Sequence, residues 1–193
     1  MKKILLFLLI LNQFVFSAVS EDKIDYVFGA AADKYNIDPK VIAAVAYYES
    51  RLYPNIVSIL TKSRYKKNIV EKYLKKHNYK YKKHKRRVVV YVSKSNYPTK
   101  LFNYLNRLKL GYDVGLMQIN SFNIKSMKLN PVALLYNVPY NIEIGAKILR
   151  KCFDQFSNNI PNAFECYNKG YNTNKYTYKY YTSVIKAYMR IIK

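Results

Sequence analysis

Between residues 61 and 110 the sequence sets 17 Lys/Arg against a single acid, Glu71. That segment's excess of +16 accounts for most of the chain's formal +23. Beyond residue 20, the rest of the chain holds 15 Lys/Arg and 10 acids. The basicity therefore belongs to this one segment.

The basic segment still carries local order. Ile69, Val70, Tyr73 and Leu74 recur at helical spacing. Arg87 to Val92 is dominated by β-branched and aromatic residues and reads as a strand. Thr99 is placed to cap a helix whose apolar face is Leu101, Phe102, Leu105 and Leu108, with Gly111 as its stop. We expect 61–110 to be a basic insertion, with at most a small β-hairpin, in an otherwise helical domain. Its Lys and Tyr repetition also reflects a bias visible in the chain's 22 tyrosines.

The first twenty residues read as a secretory signal peptide. Lys2 and Lys3 precede an apolar run from Ile4 to Phe16, and Ala18 and Ser20 supply small residues at a cleavage site. The run is shorter than the roughly 20 residues a membrane span needs. The expectation is export, to the periplasm or the cell wall. Residues 21–193 then make one domain.

The flanks are punctuated as helices. Tyr26, Phe28, Ala30 to Ala32 and Tyr35 mark a first helix ending near Asn36. Asp38 and Pro39 read as an N-cap and first helical position. Val41, Ile42, Val45 and Tyr48 give the buried face of a second helix. Asn141 is placed to cap a helix whose inner face is Ile142, Ile148, Leu149, Cys152, Phe153 and Phe156. A short element through Phe164 to Asn168, a polar loop and a helix from Tyr180 to Ile192 complete the pattern. The fold class expected is mainly α, or α+β.

Glu49 stands out chemically. It follows Val45 by four residues and Ile42 by seven, on the face that should point inward. Apolar surroundings and a helix C-terminus both disfavour a negative charge, so both raise a carboxyl pKa toward that of a working general acid. The plainer alternative is a carboxylate at a helix end paired with Arg51 or a lysine. Cys152 and Cys166 are the two cysteines, a candidate disulfide if exported and otherwise buried thiols. Neither they nor His77 and His84 have zinc-site spacing, so no metal and no cofactor is expected.

Residues Ile37 to Pro54, containing Tyr48-Glu49-Ser50, resemble the opening motif of soluble lytic transglycosylase domains. Gly115-Leu-Met-Gln-Ile-Asn120 resembles that family's second motif and Tyr167-Asn-Lys-Gly170 its third. Tyr180 with Val184 resembles its terminal tyrosine helix, and Asn141, Ile142, Gly145 and Leu149 fit the helix before the third motif. Asp113-Val114 ahead of the second motif is similar to the transglycosylases of type IV and type III secretion systems.

The resemblance implies a lysozyme-like fold and a role for each motif. Glu49 would protonate the oxygen between N-acetylmuramic acid and N-acetylglucosamine. It would then take the proton from the muramyl C6 hydroxyl, giving a 1,6-anhydro sugar. Glycosidases that use water or a protein nucleophile need two carboxylates; an attack from within the substrate needs one. Apart from the capping Asp38, the other carboxylate beside the motifs is Asp113, either a second catalytic acid or a turn or capping residue. Gly115 would allow close backbone approach to the sugar, with Met117 beneath it. Gln118 and Asn168 would offer amides to the acetamido groups or orient Glu49. Tyr167 and Tyr180 would set hydroxyls near its carboxyl, and Ser58 would contact the muramyl group.

These features imply cleavage of peptidoglycan glycan strands, to open the wall for a secretion or conjugation apparatus. A hydrolytic muramidase and an inactive wall-binding module are the alternatives. The basic insertion suits wall carboxylates, secretion-system subunits or an anionic envelope surface; export argues against nucleic acid.

Overall fold

The structure, a computed structural model, describes residues 21–93, 95–157, 159–170 and 176–191. The expected signal peptide and most of the polar loop before the last helix lie outside these residues. The chain forms two compact units, one of residues 46–148 and the other of the two flanks, up to Val45 and from Leu149 onward.

In the flank unit, α1 (Glu21–Tyr35) ends where Asn36 turns to φ 49°, as the sequence predicts. Helix α2 (Pro39–Ser50) begins with the Asp38 carboxylate accepting from the Lys40 N–H at 2.7 Å. Its residues Ile42 to Ala46 are buried, and it passes into the second unit at Ala46.

The second unit is built on a five-stranded antiparallel sheet, where the sequence suggested at most a hairpin. Its strands are β1 (Ile56–Leu60), β2 (Lys80–Lys83), β3 (Arg87–Tyr91), β4 (Tyr112–Val114) and β5 (Ile119–Asn120), in the order β2-β3-β1-β4-β5. The basic segment therefore supplies two strands, and β3 pairs directly with β1. Successive strand residues face opposite sides. Val57, Ile59, Val88, Val90, Tyr112, Val114 and Ile119 share one side and are all buried. The other side carries Ile56, Ser58, Lys80, Lys82, Arg87, Tyr91 and Asp113.

Two helices of the insertion complete this unit's core. Helix α3 (Arg64–Lys76) buries Val70 and Leu74, and α4 (Pro98–Arg107) buries Leu101, Phe102 and Leu105. Tyr73 of α3 stacks on Tyr104 of α4 at 3.8 Å, and Phe102 packs on Tyr112 of β4 at 5.4 Å. Helix α4 starts two residues earlier than the sequence suggested, because Pro98 takes the first position and Tyr97, not Thr99, the cap. Lys109, at φ 50°, ends it before Gly111 is reached.

Short helices α5 (Ser121–Ser126) and α6 (Pro131–Tyr136) are capped by Asn120 and Asn130. Helix α7 (Val138–Gln155) then runs into the flank unit, which ends with α8 (Ile160–Lys169) and α9 (Lys179–Ile191). The Cys152–Cys166 disulfide joins α7 to α8, and Phe164 packs against both Phe153 and Tyr181.

Candidate active site

Glu49 occupies the last turn of α2 and is partly exposed. The helix closes on a Ser50 hydroxyl that donates to the Ala46 carbonyl, and the chain then turns through two left-handed residues, Arg51 (φ 56°) and Leu52 (φ 61°). Such a conformation costs a non-glycine residue about 1–2 kcal/mol. Asn36, Asn78, Lys109, Lys128 and Ser157 share it as ordinary helix ends, whereas a consecutive pair with a γ-branched Leu is uncommon. The Arg51 guanidinium stacks 4.7 Å over the Tyr47 ring.

The second motif is a tight turn between β4 and β5, organised by one side chain. Asn141 is 1% exposed. Its carbonyl accepts from the Met117 N–H at 2.7 Å, and its amide donates to the carbonyls of Val114 (3.1 Å) and Leu134 (3.0 Å). Gly115 has φ 79°, and a Cβ there would lie 2.7 Å from the Leu134 oxygen and closer still to the Asn141 amide. The close approach this glycine allows is therefore to the protein's own Asn141. The Met117 side chain is fully buried and fills the space that Gly145 leaves open; a Cβ at Gly145 would lie 2.7 Å from it.

Gln118 is left-handed (φ 47°), and its amide donates to the Gly115 carbonyl at 2.8 Å. Its nitrogen thus braces the turn. Asn141 is not the helix cap that the sequence suggested. Asn137 has that position, accepting from the Tyr140 N–H at 3.0 Å, and Asn141 lies one turn further in, aimed at the motif.

Ser58 is buried on β1, directly opposite Asp113 of β4. Asp113 neither turns the chain nor caps a helix. It pairs across β1 with Arg87 of β3. Burial pushes its carboxyl above the usual range, and the Arg87 charge and hydrogen bond pull it partly back.

The third and fourth motifs belong to the flank unit. Tyr167 is half-buried and its ring lies 6.4 Å from that of the buried Tyr180, the two nearly parallel. Asn168 is exposed in the last turn of α8. Gly170 (φ 86°) ends that helix, its N–H donating to the Cys166 carbonyl at 2.7 Å.

Glu165, which sequence reasoning passed over, holds this unit's motifs together. It is wholly buried, and one carboxylate oxygen accepts from the backbone N–H groups of Tyr180 (2.8 Å) and Tyr181 (3.2 Å). The other faces the Lys169 ammonium at 3.1 Å as an ion pair without hydrogen-bond geometry. A carboxylate at a helix N-terminus meets unsatisfied N–H groups and the positive end of the dipole. The available signal was an acid set directly between Phe164 and Cys166. Among the described residues, no group of three or more His, Cys, Asp or Glu side chains converges as a metal site would.

Glu49, Ser58, Asp113, Met117 and Gln118 thus lie in one unit, and Tyr167, Asn168 and Tyr180 in the other. Comparison with curated proteins and with solved structures finds no match. Among protein families, the model of the Transglycosylase SLT domain matches residues 26–189, spanning every motif above and the insertion between them. The mainly helical architecture with its small antiparallel sheet agrees with the lysozyme-like fold of that family. The chain therefore belongs to the transglycosylase SLT domain family, whose activity is on peptidoglycan.

Proposed function

We propose that the protein is an exported lytic transglycosylase whose acid and base are the same group, Glu49. The observation that carries this reading is a family match covering both flanks, with Glu49 at the end of α2 beside a strained turn. Strained backbone concentrates at sites where geometry has been over-determined for function.

Glu49 donates its proton to the departing glycosidic oxygen as the bond to the muramyl anomeric carbon breaks. The resulting carboxylate takes the proton of the muramyl C6 hydroxyl as that oxygen bonds to the same carbon. Protons and bonds balance without water, and the product ends in 1,6-anhydro-N-acetylmuramic acid. The carboxylic acid must be protonated at the start, which a helix C-terminus favours. Asp113 is engaged with Arg87 and serves the sheet. The turn held by Asn141 presents the strand residues around Gln118, Ser58 contacts the muramyl group, and Tyr167, Asn168 and Tyr180 supply polar contacts to the sugars. Cleavage in the periplasm or wall opens the polymer for an envelope-spanning secretion or conjugation apparatus.

Digestion of purified sacculi by two variants tests the assignment. Glu49→Gln loses at least about a hundredfold in rate, the scale of a removed general acid, and Asp113→Asn stays within severalfold of wild type. Comparable loss in both variants favours a two-carboxylate muramidase. Full digestion by Glu49→Gln removes Glu49 from the chemistry.

A further inference from the structure

Beside the polar side of the sheet lies a groove of about 800 Å³ that only the end of the first motif, at Tyr53 and Pro54, reaches. One wall is the segment after Glu49, at Tyr53, Pro54, Asn55 and Ile56; the rest is the basic insertion, with Lys75, Tyr79, Lys80, Tyr81 and Tyr91. Its floor is a strand row in which Lys80, Tyr91 and Ile56 stand side by side. Tyr53 and Tyr91 meet edge to face at 6.2 Å. Asn55, Asn78 and Asn96 add amides to the lining. Lys75 and Lys80 are both exposed, and neither forms an ion pair among the described residues.

We infer that this groove binds the acidic peptide stem of peptidoglycan, a reading that rests on the wall substrate proposed above. Three features select that ligand. Lys75 and Lys80 stand at the groove in a segment of net charge +16, complementary to a peptide whose carboxylates outnumber its amines. The aromatic faces suit short aliphatic side chains, and the three asparagines suit a peptide backbone.

Reach is the third feature. Tyr53 follows Glu49 by four residues, so the groove's edge lies within about 14 Å of it even if that segment were fully extended. The floor row is also one same-face step, about 7 Å, from the row holding Ser58 and Asp113. A stem hangs from the muramyl sugar itself, so cleavage at that sugar brings a stem within this range. The insertion thereby reads the substrate's peptide while the motifs read its glycan.

The test measures binding in a Glu49→Gln protein, so that the probes are not turned over. The probes are a disaccharide carrying its peptide stem and the same disaccharide after an amidase has removed the stem. The proposal expects the stem-bearing probe to bind at least about tenfold more tightly, the scale of one charge-assisted contact. Lys75→Glu combined with Lys80→Glu, both solvent-exposed positions, should erase that difference while leaving the stem-free affinity and the thermal melt unchanged. Tyr53→Ala should lower stem-bearing affinity alone.

Equal binding of the two probes overturns the proposal, as does a stem preference that survives the double substitution. Polyglutamate that competes as well as the stem overturns it too, by making the groove a general anion surface. Sacculus digestion by the protein with Glu49 restored reports separately on whether the chain cuts the wall.

Discussion

A single amide decides whether the second motif has a shape. Asn141 meets one N–H and two carbonyls of the segments around Gly115, Met117 and Leu134. Replacing it by alanine leaves three buried polar groups without partners, each costing about 1–3 kcal/mol. Asn141→Ala is therefore expected to lose roughly 3 kcal/mol or more, lowering Tm by about 10 °C for a chain of this size. Calorimetry checks it, and an unchanged melt would show the turn to be held by something else. The role was half legible in the sequence. Asn137 and Asn141 both sit where a cap could be, and only the position of Gly115 in space separates the cap from the anchor. Gly115 itself was legible as a close-approach glycine, and within the protein the group that approaches it is Asn141.

At the scale of elements, the helices were the easier part. The Asp38–Pro39 start of α2, the Ile69–Leu74 pattern and the aliphatic face of α4 all produced helices close to where periodicity put them. The Arg87–Val92 strand was equally plain and appears as β3. Strand β1 was not, because Ile56, Val57 and Ile59 are buried from both sides and leave no apolar–polar alternation to read. The polar Ser58 between them is buried as well.

Helix α9 depends on a residue that helical periodicity alone does not mark, the buried Glu165 at its first turn. Glu165→Ala strips two N–H groups of their acceptor and removes the ion pair with Lys169. A loss of about 2–4 kcal/mol is expected, while Glu165→Gln, which keeps an acceptor oxygen, should lose less. Equal melts for the two variants would contradict the capping role.

Across the whole molecule, basic charge and tyrosine make stability depend on alkaline pH. Burial raises the phenol pKa of Tyr73, Tyr79, Tyr104, Tyr112 and Tyr136 in the sheet unit, Tyr79 to about 12. A raised pKa means that the unfolded chain releases these protons first. The stabilisation is complete below the ordinary value of 10.0 and is lost as pH climbs toward about 12. Urea melts should show unfolding free energy falling across that window. In Tyr79→Phe the fall should be shallower, whatever the variant's absolute stability; an unchanged slope would contradict the burial of that phenol.

In the mechanism proposed for Glu49, the nucleophile belongs to the substrate and one carboxyl group serves as both acid and base. Digesting sacculi in heavy-oxygen water and weighing the released muropeptides tests it most directly. Anhydro ends that carry no heavy oxygen are expected. Reducing muramic acid ends that have each gained one heavy oxygen would contradict it, because water would then have made the attack.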